Sequence, residues 1–194
     1  LTQINKYKPR VAVITNLDKY NLFIKNHGNK LKDTEILFGS DGLKEICSND
    51  DVDTVVASIV GFECLKPVMS AIKTNKTILA ANKEILVSAG DVIRDSILKS
   101  NALLLPIDSE HNAILQIILS SGLDLKIFHN DYYKSKINKL TITASGGPFL
   151  DYKLTDLQKV TPKEAVMHPT WKMGDKISVD SSTMMNKGLE IIEA

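Results

Sequence analysis

The sequence predicts an α/β protein in which a parallel-sheet domain, residues 1–107, is followed by a second α/β domain, residues 108–194. Between residues 10 and 81, short runs rich in β-branched residues alternate with helix-like stretches, a rhythm typical of βαβ units. The alternation breaks at residues 125–139, which are rich in Lys, Asn and Tyr. With 194 residues, of which 43% are hydrophobic, the chain can also bury a core of sufficient size.

In the first half, each predicted strand is short and apolar, and most are followed directly by a helix-like stretch. Residues 90–100 continue the helical pattern and precede another strand at residues 102–106. The earlier predicted strands are residues 11–15, 36–38, 55–60 and 77–80, and the predicted helices between them are residues 17–27, 43–47 and 65–73.

The second half carries fewer strand signals. Residues 108–121 predict a loop that leads into a helix, because Ile114, Ile117 and Ile118 have helical spacing. A proline after His168 predicts a loop over residues 165–177, since the residue before proline favours extended geometry. The remaining predictions are a solvated insertion at residues 125–139, a strand at residues 140–144 and a helix that starts at Asp180 and Ser181.

Composition argues against nucleic acid as the default partner, against a membrane-spanning helix and against a disulfide scaffold. A formal net charge of +1 gives no overall excess for binding nucleic acid, and no apolar run approaches the roughly 20 residues of a membrane helix. Cys47 and Cys64 fit neither a CxxC motif nor paired zinc ligands, so we expect both to be reduced and packed in or near the core. The chain begins at Leu1 rather than Met and ends inside a helical run, which predicts a piece of a longer protein.

A divalent metal site is one interpretation of Asp108 and Glu110, which follow the strand at residues 102–106. If the backbone stays extended, residues at i and i+2 project to the same side, and two carboxylates there suit Mg²⁺ or Mn²⁺. The alternative is that Asp108 caps the next helix while Glu110 occupies its first turn.

Two segments predict anion binding. Residues 143–149, TASGGPF, run from a strand into a glycine turn whose N–H groups and Ser145 hydroxyl form an anion-binding concavity; an ordinary turn is the alternative. Farther along, a helix N-terminus at Ser181 and Ser182 is a natural phosphate site. On the same helix Asn186 and Glu190 share a face beside Lys187, and a solvated polar face is the alternative there.

Two further positions are candidates for ligand contact. Lys83 follows the strand at residues 77–80 and therefore lies at the carboxyl edge of the parallel sheet, where ligands of such sheets bind; a surface ion pair is the alternative. His168 and Trp171 share a loop with glycine and lysines, which fits a lid, although a lone His or Trp is more often structural. The chain contains no GxGxxG or P-loop motif, so no nucleotide cofactor follows from motifs alone.

Taken together, these segments resemble the 1-deoxy-D-xylulose 5-phosphate reductoisomerase family from about Arg10 to the end, in order and in spacing. The motifs that carry the resemblance are ANKE at residues 81–84, PIDSEHN at residues 106–112, SGGPF at residues 145–149, HPTWKMG at residues 168–174 and KISVDSSTMMNKGLE at residues 176–190. The resemblance implies a Rossmann-like NADPH domain and a catalytic domain, each partial here. It also implies rearrangement of a ketose phosphate and its reduction by NADPH to 2-C-methyl-D-erythritol 4-phosphate.

The resemblance assigns the site residues by matching positions. It implies a metal, Mg²⁺ or Mn²⁺ with Co²⁺ as an option, held by Asp108, Glu110 and Glu190, and catalytic roles for Lys83, Glu110 and His168. Glu193 and Met173 match further positions of the site and of the lid. The implied substrate contacts are Ser109, Ser145, His168, Trp171, Ser181, Asn186 and Lys187, and the implied cofactor contacts are Ala57, Ser58, Ile59, Asn82, Glu84 and Gly174.

The resemblance further implies a homodimer when the protein is full length, and a bacterial cytoplasm or a plastid-like organelle as its location. Two alternatives stay open. One is a metal-dependent sugar-phosphate isomerase or aldolase without redox chemistry, since the pyrophosphate-binding glycine loop is not in the sequence. The other is a non-catalytic module that binds sugar phosphates.

Overall fold

The fold is α/β, as the sequence predicts, and each strand among the described residues is four residues long. A computed structural model describes residues 1–28, 31, 33–122 and 137–194. The strands are β1 Val11–Ile14, β2 Glu35–Phe38, β3 Thr54–Ala57, β4 Thr77–Ala80 and β5 Leu103–Pro106. The helices are α1 Thr2–Tyr7, α2 Leu17–His27, α3 Gly39–Ser48, α4 Leu65–Lys73, α5 Glu84–Leu98, α6 Ser109–Ser120, α7 Leu154–Leu157, α8 Pro162–Ala165, α9 Asp175–Ser182 and α10 Met185–Glu193.

All strand pairs in the described residues are parallel. β1 pairs with β2, with Val11 opposite Glu35, and β4 is the central strand of the group β3-β4-β5. Parallel neighbours require a crossover connection, and the helices α2, α4 and α5 provide it. The carboxyl ends of β3, β4 and β5 therefore meet at one edge of the sheet. Residues that follow each of these strands line the candidate site.

The hydrophobic core lies around β4 and the two helices that flank it in sequence. Ile78 of β4, Ile72 of α4 and Ile85 of α5 are fully buried. Helix α4 carries its apolar residues at helical spacing, so that one face, including Val68, packs inward. Cys47 and Cys64 are both buried and free, which confirms their predicted place in the core.

Helix α5 starts six residues earlier than the predicted segment at residues 90–100. Gly90, the first residue of the predicted segment, follows Ala89, where the backbone is non-helical and two helical segments meet at a kink. Glycine has low helix propensity, and kinks are common where it occurs. By beginning at Glu84, α5 places its N-terminus directly at the carboxyl end of β4.

Two predicted elements of the second half are wrong. Residues 140–144 form no strand, because they pair with no other strand among the described residues. The helix predicted to start at Asp180 and Ser181 begins at Asp175, so both residues lie in the last turns of α9. The predicted insertion at residues 125–139 lies outside the described residues up to residue 136. Among the described helices, none combines the length and apolar character that crossing a membrane would require.

Candidate active site

One cavity of about 520 Å³ collects most of the residues that the sequence analysis singled out. Its wall is built from the carboxyl ends of β3, β4 and β5, the first turn of α6, the SGGP turn, the loop before α9, and α10. This volume lies in the range of small-molecule sites. The predicted site residues on its wall are Ser58, Asn82, Lys83, Glu84, Asp108, Ser109, Glu110, Ser145, His168, Trp171, Ser181, Asn186, Lys187 and Glu190.

Three carboxylates from two helices converge at one end of this cavity. Asp108 precedes α6, Glu110 lies in its first turn, and Glu190 comes from α10. One carboxylate oxygen from each lies within 4.8 Å of the others. Since α6 begins at Ser109, the backbone does not stay extended over residues 108–110, which was the condition of the metal-site interpretation, but the carboxylates still converge. Asp108 occupies the N-cap position, but its side chain accepts no capping hydrogen bond from the helix, because it contacts Lys83 instead.

Two lysines hold the carboxylates together. The Nζ atom of Lys83 lies 2.6 Å from Oδ2 of Asp108 and 2.8 Å from Oε1 of Glu190. Lys187 donates to Oε1 of Glu110 at 3.0 Å and to Oε2 of Glu190. Asn186 completes the network, since its amide donates to Glu190 and its carbonyl oxygen accepts from Lys83 at 2.9 Å. With three acids and two lysines, the cluster keeps a formal charge of −1.

The network favours ionised groups. Burial opposes ionisation of Glu110, but hydrogen bonds from Ser109 and Lys187 lower the pKa of Glu110 to about 2. Burial likewise acts against the charged form of Lys83, yet hydrogen bonds to Asp108 and Glu190 raise its pKa above the ordinary value. Glu110 is therefore a carboxylate at neutral pH, which suits a metal ligand better than a proton donor.

The donor set fits a hard divalent cation. Three carboxyl groups from Asp108, Glu110 and Glu190, within 4.8 Å of one another, offer the oxygen ligands that Mg²⁺ and Mn²⁺ prefer. A second set, Asp108 with His111 and Glu193, also has its ligand atoms within 4.8 Å of one another but shares Asp108 with the first.

His111 connects α6 to α10 behind the carboxylates, a role that the sequence did not indicate. Its Nε2 lies 3.0 Å from the main-chain oxygen of Glu190 and therefore donates to it. In the neutral ring, this leaves Nδ1 as an acceptor that faces Oε2 of Glu193 at 3.4 Å. Neither of these two facing atoms has a hydrogen-bond partner in the described part of the chain. Burial, followed by the charge of Asp108, raises the pKa of Glu193 to about 7.

Replacing Glu193 with glutamine is expected to alter the pH dependence of stability in the metal-free protein. A carboxyl whose pKa is higher in the folded state binds more protons when folded, so the wild-type free energy of unfolding falls between about pH 4.5 and 7. Glutamine cannot ionise, and the variant should therefore gain up to about 3 kcal/mol relative to wild type across this interval. Urea unfolding at pH 5 and pH 8 measures the difference. An identical difference at both pH values contradicts the shifted pKa.

A second group of donors lies elsewhere on the cavity wall. The Oγ of Ser145 is 3.2 Å from Nε2 of His168 and 3.5 Å from Oγ of Ser181. Nδ1 of His168 accepts from the main-chain N–H groups of Thr170 and Trp171, at 3.2 and 3.0 Å. The proton of the neutral ring is therefore on Nε2, which points toward Ser145. Two hydroxyls and an imidazole N–H are suitable donors for an oxyanion.

The SGGP turn is placed by close packing against α9. Gly147 has φ +67°, and a Cβ added there would lie 2.8 Å from the main-chain oxygen of Ser181. Only glycine tolerates both conditions, so Ser145 and Ser181 are brought together by a turn that needs it. The helix N-terminus predicted for the phosphate is wrong, because Ser181 and Ser182 lie at the C-terminal end of α9. The Ser182 hydroxyl instead donates to Val179 within the helix.

The predicted lid residues border the same cavity. Trp171 and Met173 lie in the loop between α8 and α9 and line the wall together with His168. The Trp171 side chain is 62% exposed, so it fills no core and is available to cover a ligand.

On the sheet side, Asn82 holds the turn that follows β3. Its amide donates to the main-chain oxygens of Ile59 and Gly61, the latter at 2.8 Å, and its carbonyl oxygen accepts from the N–H of Ile85. All polar atoms of the Asn82 side chain are thus engaged in shaping the turn. Ser58 and Glu84 line the cavity, whereas Ala57 is buried and neither Ile59 nor Gly174 is on the wall.

Sequence reasoning missed several wall residues. Ile177, Asp180 and Met184 line the cavity, and Met184 does so from a left-handed conformation, φ 61°, where α9 ends and α10 begins. No local sequence signal predicts positive φ at a methionine. Asp180 could have been found from its spacing, since Lys176 four residues earlier pairs with it at 2.6 Å.

Comparison with known families gives consistent matches over both halves. Residues 1–90 match the model of 1-deoxy-D-xylulose 5-phosphate reductoisomerase, and residues 104–194 match that of the C-terminal domain of the same family. The reductoisomerase of Francisella tularensis subsp. novicida is 47% identical over 189 residues, and that of Cellvibrio japonicus is 44% identical over 193. These alignments cover 97% and 100% of this chain but 46% and 48% of those proteins. The chain thus spans about half the length of the curated relatives that it matches.

Solved structures give the same result. A DOX-P reductoisomerase in complex with NADPH, fosmidomycin and magnesium is similar with a TM-score of 0.88 and 45% identity, over 100% of this chain and 47% of that one. The enzyme from Zymomonas mobilis in complex with NADPH is similar with a TM-score of 0.81 and 38% identity, over 100% of this chain and 46% of that one.

Proposed function

The chain belongs to the 1-deoxy-D-xylulose 5-phosphate reductoisomerase family, and we propose that the full-length protein converts 1-deoxy-D-xylulose 5-phosphate and NADPH to 2-C-methyl-D-erythritol 4-phosphate. The observation that carries this proposal is the arrangement of one cavity. A carboxylate and lysine cluster occupies one part of its wall, and the hydroxyl and imidazole donors of Ser145, His168 and Ser181 occupy another. The first part suits a metal that binds the sugar's oxygens, and the second suits the phosphate.

The phosphate is proposed to bind where the neutral donors converge. Ser145, Ser181 and the Nε2 proton of His168 would donate to its oxygens, and Asn186 and Lys187 would approach from α10. Binding energy from this remote group positions the reacting carbons, and closure of the lid by Trp171 excludes water.

Asp108, Glu110 and Glu190 would hold Mg²⁺ or Mn²⁺, with Co²⁺ as a substitute. When bound, the cation supplies Lewis-acid stabilisation of the substrate's oxygens. Lys83 and Ser109 lie beside these carboxylates, so that the Lys83 ammonium and the Ser109 hydroxyl can donate to hydroxyl groups of the sugar. Lys83 stays protonated, since its pKa is raised, and its contribution is therefore orientation and charge stabilisation rather than proton removal.

NADPH is proposed to bind at the carboxyl edge of β3-β4-β5, where ligands of open parallel sheets bind. Ser58, Asn82 and Glu84 are on this part of the wall, and Ala57, Ile59 and Gly174 remain proposed contacts through the main chain. Gly61 fits such an approach, because a Cβ added there meets no atom within 4 Å. When bound, the cofactor supplies the hydride that reduces the rearranged carbonyl.

The family also supports proposals about the whole protein. We assign residues 1–107 to the cofactor domain and residues 108–194 to the catalytic domain, each incomplete relative to the family. The relatives named above are bacterial, which favours a bacterial cytoplasm over a plastid-like organelle. A homodimer, and a small sugar phosphate rather than nucleic acid or a membrane as the ligand, are proposed on the same basis.

Product identification tests the proposal against its alternatives. We would incubate the full-length protein with ¹³C-labelled 1-deoxy-D-xylulose 5-phosphate, NADPH and Mg²⁺, and follow the carbon skeleton by NMR. The proposal predicts a branched tetrol phosphate and one NADP⁺ for each product molecule. A rearranged or cleaved sugar without NADPH consumption supports a non-redox isomerase or aldolase, and binding without any conversion supports the non-catalytic module.

A further inference from the structure

Lys176 connects α9 to α5 from a position just outside the cavity wall. It is the second residue of α9, and its Nζ lies 2.8 Å from Oε1 of Glu84 and 2.6 Å from Oδ2 of Asp180. Glu84 is the first residue of α5 and lies four positions after the last residue of β4. Both acids line the cavity, whereas Lys176 does not.

Interactions within α9 do not explain why a lysine occupies position 176. A cation in the first turn of a helix opposes the helix dipole, and a lysine placed four residues before an acid is the less favourable order for a pair within one helix. The contact with Glu84, 92 positions away in the sequence, gives Lys176 a reason to be at this position.

The bridge fixes two features of the site at once. It connects the first turn of α9 to the N-terminus of α5. Lys176 lies two residues after Gly174, where the loop that carries the lid residue Trp171 ends. It also pairs the Glu84 carboxylate, which is one-quarter exposed, at the edge where the proposed cofactor binds. Although burial opposes ionisation, the hydrogen bond from Lys176 lowers the pKa of Glu84 below its ordinary value, so the acid is ionised at neutral pH.

From this geometry we propose that Lys176 is a positioning residue for NADPH, which orients and neutralises Glu84 and holds the lid end of α9 against α5. The inference rests on the proposed function. NADPH carries several phosphate charges, and an uncompensated carboxylate at the sheet edge would repel it. Lys176 is shared with Asp180, so it reduces this repulsion rather than cancelling it, and it leaves Glu84 oriented to accept hydrogen bonds.

The test compares three variants of the full-length protein. Lys176→Met keeps the length of the side chain but loses its charge, and Lys176→Arg keeps the charge. Lys163→Met is the control, because Lys163 is an exposed residue of α8 that makes no ion pair within the described residues. The dissociation constant of NADPH is measured by cofactor fluorescence without substrate, next to KM for both substrates and the thermal unfolding midpoint.

Lys176→Met is expected to weaken NADPH binding about fivefold at low salt, the size expected for loss of a partly exposed ion pair. The loss should shrink as ionic strength rises, because an exposed pair is screened. Lys176→Arg should restore most of the affinity for NADPH. Lys163→Met should bind NADPH as the wild type does, and the unfolding midpoint of all three variants should stay near the wild-type value.

Each other outcome counts against the inference. If wild type and Lys176→Met bind NADPH equally, the positioning role is wrong while the proposed function stands. If affinity falls together with the unfolding midpoint and is not restored by arginine, Lys176 is only a structural residue. If the wild type itself binds no NADPH, both the inference and the proposed function fail.

Discussion

Glu190→Gln is expected to reduce turnover of the full-length protein by about a thousandfold or more. Glu190 is fully buried, and it is one of three carboxylates placed to hold the cation. Loss of several kcal/mol of metal-assisted stabilisation corresponds to about this factor in rate. Steady-state NADPH oxidation at saturating Mg²⁺ measures the effect, and isothermal titration should show weaker Mg²⁺ binding in parallel.

The fold should tolerate this change. Glutamine has the volume of glutamate, and its single carbonyl oxygen can replace one of the two acceptor oxygens of Glu190, either that facing Asn186 and Lys83 or that facing Lys187. Both lysines also keep a second carboxylate, Asp108 or Glu110. The substitution also brings the formal charge of the cluster from −1 to zero, so no lysine is left without an acid. Glu45→Gln, at an exposed position of α3, is the matched control and should leave activity and stability unchanged. Wild-type turnover by the Glu190 variant would sink the metal assignment.

Lys83→Met is expected to lower kcat/KM by about a hundredfold, the order of loss that follows from misplaced reacting groups. Its second effect is on stability. Lys83 is 12% exposed and contacts both Asp108 and Glu190, so its removal leaves two close carboxylates without a shared cation. Breaking a buried ion pair costs about 3 kcal/mol or more, and the metal-free variant should unfold at a lower temperature.

Mg²⁺ separates this electrostatic account from simple loss of packing. A cation bound by the three carboxylates replaces the lost ammonium charge, so the metal should raise the unfolding midpoint of Lys83→Met more than that of the wild type. Lys159→Met, which neutralises an exposed lysine before α8, should respond to Mg²⁺ as the wild type does. Equal metal responses in all three proteins would mean that Lys83 does not hold the carboxylates.

The sequence predicted most of the first half of the fold because its signals there are local. Leu17–His27 and Leu65–Lys73 are helices with the predicted bounds, since apolar spacing marks both and Asn16 caps the first through a bond to the N–H of Lys19. Thr77–Ala80 is likewise a strand as predicted. Their order in βαβ units then decides which strand ends share an edge.

The second half was harder to predict because its geometry depends on contacts between distant segments. The helix starts at Asp175, but Asp180 and Ser181 are equally good helix-capping residues by sequence and predicted a later start. Both lie inside the helix. The left-handed Met184 separates α9 from α10 and turns Glu190 toward Asp108. Neither feature follows from periodicity.

For the site, residue types were predictable and partnerships were not. The i, i+4 relation of Asn186 and Glu190 predicted a shared face, and their hydrogen bond confirms it. That Lys83, 107 positions from Glu190, closes the same network is a consequence of tertiary packing. His111 was missed because its partners, the main chain of Glu190 and the side chain of Glu193, belong to a helix 79 positions later.

The most direct test of the central claim follows NADPH absorbance in a mixture of the full-length protein, 1-deoxy-D-xylulose 5-phosphate and Mg²⁺. We predict oxidation of NADPH that stops when a chelator is added and returns when excess Mg²⁺ or Mn²⁺ is restored, because Asp108, Glu110 and Glu190 then hold the required cation. A folded protein that oxidises no NADPH under these conditions, or oxidises it equally with the chelator present, would contradict a metal-dependent reductoisomerase.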